Sequence, residues 1–375
     1  MLKDHLKIIS VDDHLIERPG AWQDRLPQRF KEAGPHLVEL EDGTEQWSYD
    51  GIVAGAPGLS AVAGKPWNER NNEPTRFDEM RAAYTDPAAR IADMDEDGVA
   101  TQVLFPSYAR FAGARFLQGA DRALALACVQ AYNDYALDEW QDFAPDRYVP
   151  LTIVPLWDVE LAVTELRRAI DKGSHGLSMP DAPAMLGLPS YRSGYWEPLL
   201  ALVEEAGLPV CMHFGAAGVT PTMSPDAPQA AHAVVFPVTV MSSLTELVLS
   251  PVLELHPRLN VVLSESGIGW IPYLSQRLDQ VWEHYRYYQL DDKLPSERPS
   301  TVVKKNIFSC FIDDPIGVEL RHTMGVSQLM WESDYPHPDS LYPHSRSNAV
   351  KVMANVPDDE VEQIMMGNAK RVFNL

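Results

Sequence analysis

Two periodicities divide the chain. Short apolar runs rich in β-branched residues recur along it, and the stretches between them place apolar residues every three to four positions. The first run, Ile8-Ile9-Ser10-Val11, predicts a strand covered on both faces. Further strands are predicted at Ala100–Pro106, Tyr148–Pro155, His175–Met179, Pro209–Phe214, Asn260–Ser264, Asn306–Ile312 and Gln328–Trp331. Helical spacing fills residues 86–97, 120–141, 159–172, 195–206, 228–256, 270–287 and 316–324, and two more helices run to Leu375. Eight strands each followed by helix require parallel pairing, and eight such units close into a (β/α)8 TIM barrel. An open doubly wound sheet is the alternative, but no GxGxxG follows the first strand.

Residues 18–80 break this rhythm. Prolines and tryptophans (Trp22, Trp47, Trp67) alternate with polar residues, and only Glu45–Ile52 has the look of a hairpin. So long a connection predicts a functional insertion lying over the barrel mouth. No repeat, low-complexity tract or linker divides the rest, so the chain reads as a single barrel domain spanning 1–375.

Composition narrows the partners. A formal charge of −22 leaves no basic face to neutralise phosphates, which excludes nucleic-acid and anionic-membrane partners. Cys128, Cys211 and Cys310 are widely spaced in apolar surroundings and read as buried, reduced thiols. The segment Met1–His5 carries no apolar signal core, and no run of roughly 18 apolar residues is found. A cytoplasmic protein is expected. The apolar content of 230–255 and of the C-terminal helices predicts a homodimer or higher homo-oligomer.

The candidate chemistry sits where strands end. The first strand runs into Asp12-Asp13-His14, with Asp12 and His14 two apart and therefore on one side. The fifth ends in His213 with Gly215 and Gly218 beyond it, the sixth in Glu265 before Gly267 and Gly269, and the eighth in Asp334, followed by Tyr335-Pro336-His337. In a barrel those ends share one mouth. Isolated buried charges there are costly unless they pair or bind a cation, and two carboxylates with two imidazoles suit Zn²⁺ or Mn²⁺. Glu265 is equally readable as an arginine's salt-bridge partner, His213 as a core histidine, and Asp334 as a helix N-cap.

The ordered set Ser10-Val11-Asp12-Asp13-His14, Met94-Asp95-x-x-Gly98-Val99, Met212-His213-Phe214-Gly215, Ser264-Glu265-Ser266-Gly267-x-Gly269-Trp270-Ile271-Pro272 and Ser333-Asp334-Tyr335-Pro336-His337 resembles the amidohydrolase superfamily. The resemblance is to its amidohydrolase-related branch, which includes aminocarboxymuconate-semialdehyde and γ-resorcylate decarboxylases, and it covers essentially the whole chain. It implies a distorted barrel and metal ligands at Asp12, His14, His213 and Asp334. The family's HxH falls on His14 and Ile16, so its second histidine is absent, and Asp12 supplies the carboxylate that benzoate-decarboxylase types use instead. The strand-six histidine of relatives falls on Glu265. With no lysine at Ser178-Met179-Pro180 for carboxylation, one metal rather than two is implied, Zn²⁺ first and Mn²⁺ second.

The expected activity is non-oxidative decarboxylation of a small carboxylated aromatic or semialdehyde-type substrate, with Asp334, His213 and Glu265 catalytic. Arg70, Arg76, Trp67 and His337 are expected to bind the substrate, the arginines by clamping its carboxylate. The alternatives are metal-dependent hydrolysis of a C–N or C–C bond and, more remotely, a catalytically silent barrel with a binding role.

Overall fold

All eight residues of the first strand, β1 (Ile8–Leu15), are buried. This computed structural model describes residues 6–70, 73–218, 224, 226–288 and 294–375. The Met1–His5 segment read above for a signal core lies outside them. By packing, the chain divides into two compact units. One holds Lys7–Ser178 with Glu332–Asn348. The other holds Met179–Trp331 with Ala349–Leu375 and Leu6.

In the first unit the insertion after β1 builds a small antiparallel sheet of β2 (His36–Glu39), β3 (Glu45–Tyr49) and β4 (Ile52–Val53). The expected hairpin is therefore present with a third strand added. Trp22 and Trp47 are fully buried in a cluster with Tyr108 and Phe116, and the Trp22 indole donates to the Cys128 carbonyl at 3.1 Å. These two rings therefore belong to the core and not to a surface over the mouth. Their large apolar area drives them into the core, where edge-to-face and stacked contacts hold them.

β1 pairs in parallel with β5 (Val99–Pro106), and β5 with β6 (Tyr148–Pro150). The register slips between Ser10 and Asp13, which marks an irregularity just where the chemistry begins. β6 is shorter than expected, with an isolated parallel bridge from Thr152 to Leu177 beyond it. Aspartates set the helix starts: Asp86, Asp121 and Asp158 each accept the second and third N–H groups of the helices Pro87–Asp97, Arg122–Tyr135 and Val159–Asp171.

The five-stranded sheet runs in the order β7 (Leu177–Pro180), β8 (Pro209–His213), β9 (Asn260–Ser264), β10 (Ile307–Phe311), β11 (Leu329–Trp331). Its recorded pairings, β8–β9–β10–β11, are parallel. The eight strands predicted at the barrel positions are all present. The helix Pro299–Asn306 went unforeseen, as did the short helices Gly20–Gln23, Gln28–Lys31 and Ala82–Thr85. The Thr-Val-Val core of Pro299–Asn306 favours strand locally, but Pro299 opens the first turn and burial of Val302 and Val303 carries the rest. The stretch Ala230–Val248 is helical, has a mean hydropathy of 1.4 and is only 22% buried. By length and composition it meets the criterion for a membrane span, which corrects the statement that no such run exists. Serine, threonine and alanine lower its apparent apolarity to the eye, and Glu246 is its only charged residue.

Candidate metal centre

The first unit brings β1 against the segment Glu332–Asn348. Ser333 donates its N–H to Ser10 Oγ at 2.8 Å, Asp334 donates its N–H to the Asp12 carbonyl at 2.8 Å, and His14 donates its N–H to the Tyr335 carbonyl at 2.7 Å. Asp13 locks this seam from the far side. Its Oδ1 accepts the Ser333 hydroxyl and the Tyr335 N–H, the latter at 3.0 Å. Burial outweighs those bonds and pushes the Asp13 carboxyl up to about 8. Arg90, fully buried, adds a third tie: Nη2 donates to the His14 carbonyl at 2.9 Å and Nη1 to Gln102 Oε1 at 3.0 Å.

Between these ties stand the donors. His14 Nε2 lies 3.5 Å from Asp12 Oδ1 and 3.3 Å from Asp334 Oδ1. His337 Nδ1 lies 3.1 Å from the same Asp334 oxygen, and its ring centroid is 4.0 Å from that of His14. His14, Asp334 and His337 each offer a ligand atom, all within 4.8 Å of one another. Phe105 and Phe111 wall the cluster, with ring centroids 5.8 and 5.2 Å from His14. His337 is the most open member, with 12% of its side chain exposed against 1% for Asp334 and none for His14. Burial opposes ionisation of Asp334, yet the His337 and His14 rings hold its carboxyl below the ordinary range. Asp334 also occupies the left-handed region, φ 52°, a conformation a non-glycine residue keeps only where its surroundings impose it.

The donor set fits a divalent cation. Carboxylate oxygens and imidazole nitrogens, buried and converging at this spacing, form the ligand class of Zn²⁺ and Mn²⁺ sites.

The second unit carries His213 and Glu265 at the ends of β8 and β9. His213 Nδ1 lies 2.6 Å from the Phe214 carbonyl, which can only accept, so Nδ1 carries the proton. In the neutral ring Nε2 then presents a lone pair, the state a metal ligand needs. Glu265 Oε2 is 3.6 Å from that Nε2. Glu265 too is left-handed, φ 51°, in a turn that Asp314 holds by accepting the Ile268 and Gly269 N–H groups at 2.8 and 2.7 Å. Among the described residues, a side chain built at Gly215 would meet nothing within 4 Å.

The expected substrate arginines are placed differently. Arg76 pairs with Glu39, Glu45 and Asp78 of its own chain, which is the ordinary ion-pair arrangement and not a carboxylate clamp. Arg70 stacks on Trp67 at 3.8 Å and points Nη1 at the Pro338 and Ser340 carbonyls, so it holds the segment after His337. Trp67 is 68% exposed. Sequence reasoning missed the roles of Asp13, Ser333 and Arg90. Asp13 was legible as a partner of Asp12 on the opposite face of an alternating strand, but Arg90 carried no signal.

The amidohydrolase family model matches residues 36–375, and the chain belongs to that family. It is 23% identical to the γ-resorcylate decarboxylase of Rhizobium radiobacter over 308 residues, 76% of this chain and 86% of the relative. Among solved structures it resembles an amidohydrolase from Mycobacterium avium subsp. paratuberculosis K-10 (TM-score 0.78, 20% identity, 99% of this chain and 100% of the other). It also resembles a dihydroxybenzoic acid decarboxylase from Polaromonas sp. JS666 with bound manganese and the inhibitor 2-nitroresorcinol (TM-score 0.67, 16% identity, 98% and 97%). These likenesses establish the fold, the (β/α)8 barrel of the amidohydrolases.

Proposed function

We propose that this chain is a metal-dependent non-oxidative decarboxylase of a small carboxylated aromatic acid. The observation that carries the reading is the buried cluster of His14, Asp334 and His337, with Asp12 beside it, in a chain akin to a γ-resorcylate decarboxylase. Asp12, His14 and Asp334 would hold one divalent ion. His213 is the fourth ligand on the sequence argument, because it ends the fifth strand of the barrel and its Nδ1 proton leaves Nε2 as the donor. Manganese, present in the Polaromonas structure, replaces zinc as first choice, since the donors suit either. The ion, when bound, would polarise a substrate oxygen and stabilise the negative charge that develops as the carboxyl group leaves.

The chain's own residues then handle the proton. Asp334 is held as a carboxylate, so it acts as a donor only after taking a proton, and His337 at 3.1 Å is the adjacent source. The proton goes to the ring carbon as the bond to the carboxyl breaks and CO₂ departs. Glu265 is the competing donor, standing where relatives carry histidine. Phe105 and Phe111 exclude water on their side of His14. Hydrolysis is the second reading, favoured by the family match itself, with Asp334 taking a proton from water.

One barrel domain over 1–375 remains our reading, and the family match runs through both compact units. The exposed apolar helix at Ala230–Val248 supports a homodimer. The three buried cysteines support a cytoplasmic location, and the formal charge of −22 supports one without nucleic-acid partners. Assay of CO₂ release from a panel of hydroxybenzoates by manganese-loaded protein tests the function. Release that needs the metal supports it, and hydrolysis of an amide or ester without CO₂ release overturns it.

A further inference from the structure

His337 lies in a stretch, residues 332–344, that contains no helix or strand, so its place beside Asp334 and His14 depends on ties to other segments. The insertion after β1 supplies such ties on both sides of it. Before His337, the Pro336 carbonyl accepts the N–H groups of Val62 and Ala63, both at 2.9 Å. Ala63 is fixed in turn, because its carbonyl accepts the buried Tyr84 hydroxyl at 2.7 Å. After His337, Arg70 Nη1 donates to the Pro338 carbonyl at 2.6 Å and to the Ser340 carbonyl at 2.5 Å. All of these residues belong to the first compact unit.

A long arginine side chain is costly to order, and here the insertion orders it. Arg70 Nε donates to the Lys65 carbonyl at 3.3 Å, and the guanidinium carbon lies 3.8 Å from the centre of the Trp67 ring. Nη1 is thereby preset for the chain that follows His337. The ring held in this way is itself an orienting group, since His337 Nδ1 stands 3.1 Å from Asp334 Oδ1. A hydrogen bond of that kind sets the direction of a liganding carboxylate. We propose that residues 62–70 form a clasp on His337, in which Arg70 is a positioning residue that acts through His337 and Asp334 on metal affinity. The inference rests on the metal-centre reading above and gives the long insertion a task.

Manganese titration by calorimetry tests the clasp on wild type, Arg70→Met, His337→Ala and the double variant. Methionine keeps an apolar stem on Trp67 and removes every donor, and Arg70→Gln replaces it if that variant unfolds. His337→Ala should weaken manganese binding about 10- to 100-fold and Arg70→Met about 10-fold, the range for loss of an orienting partner. The double variant should bind within about twofold of His337→Ala, because Arg70 has nothing to act through once the ring is gone. Arg70→Lys, which still donates to the carbonyls, should recover most of the affinity, and no recovery overturns the role of those bonds. Wild-type affinity in Arg70→Met, or losses that add in the double variant, overturns the clasp, since an arginine that only steadies the fold acts independently of His337. A wild type that binds no manganese overturns the metal centre and the clasp together. The expected pattern of affinities without CO₂ release from any hydroxybenzoate supports the clasp and overturns only the decarboxylase reading.

Discussion

The Asp334 amide N–H donates to the Asp12 carbonyl at 2.8 Å, which joins a candidate ligand of β1 and one from the segment after β11 through their backbones. The spacing of the donors is thus set by main-chain bonds, and Asp13 reinforces it through Ser333 and Tyr335. Asp13→Ala should therefore weaken manganese affinity by roughly 10–100-fold without removing any ligand, as loss of an orienting partner does elsewhere. Calorimetric titration of the variant checks this. An affinity equal to wild type would show that Asp13 does not organise the centre.

Glu17 predicts a pH dependence of stability. It is fully buried and accepts the N–H groups of Ser107, Tyr108 and Ala109, yet burial pushes its carboxyl up to about 7. The folded state thus keeps this proton to about pH 7, whereas the unfolded chain, with an ordinary value of 4.5, releases it earlier. Stability from this group is greatest below the unfolded value, declines as pH rises to about 7 and is level above, a loss of about 3 kcal/mol. Urea unfolding at pH 5 and 7.5 should show a smaller decline in Glu17→Gln than in wild type. Parallel declines would refute the assignment.

Asp334 and Glu265 are separable by amide substitution. Asp334→Asn keeps shape and a neutral oxygen ligand, so it should retain part of the metal while turnover falls by about 10² or more. Glu265→Gln should lose roughly 10–100-fold if Glu265 only orients His213, and as much as Asp334→Asn if it is the proton donor. Steady-state rates at saturating manganese decide between these. A near-wild-type Asp334→Asn removes the proposed proton path.

The helix at Ala230–Val248 carries Val234, 79% exposed, and Val238, 42% exposed. If copies pair through this face, light scattering at micromolar concentration should give twice the chain mass, and Val234→Glu should give the monomer. A monomeric wild type that sediments with lipid vesicles would reassign the helix to a membrane surface.

Much of this was legible because barrel strands are apolar runs that end abruptly in ionisable residues. Ile8–His14, Pro209–His213 and Asn260–Glu265 all show that edge. What sequence could not show depends on contacts between distant residues. His337 reads as a neighbour of Asp334, but its ring contact with His14 needs the seam between positions 14 and 335. Arg76 reads as a clamp for any carboxylate, and only the fold supplies Glu39 and Glu45. Trp22 and Trp47 lie in a segment without periodicity, so their burial against Tyr108 and Phe116 had no local trace.

The central claim is metal-dependent loss of a carboxyl group, and carboxyl-labelled substrate tests it most directly. Manganese-loaded protein incubated with carboxyl-¹³C 2,6-dihydroxybenzoate and related hydroxybenzoates should release labelled CO₂ in step with the decarboxylated phenol. His14→Ala, folded but unable to complete the donor cluster, should release none. Label that stays on the ring for every acid tried, or release that persists in His14→Ala without metal, would contradict the account.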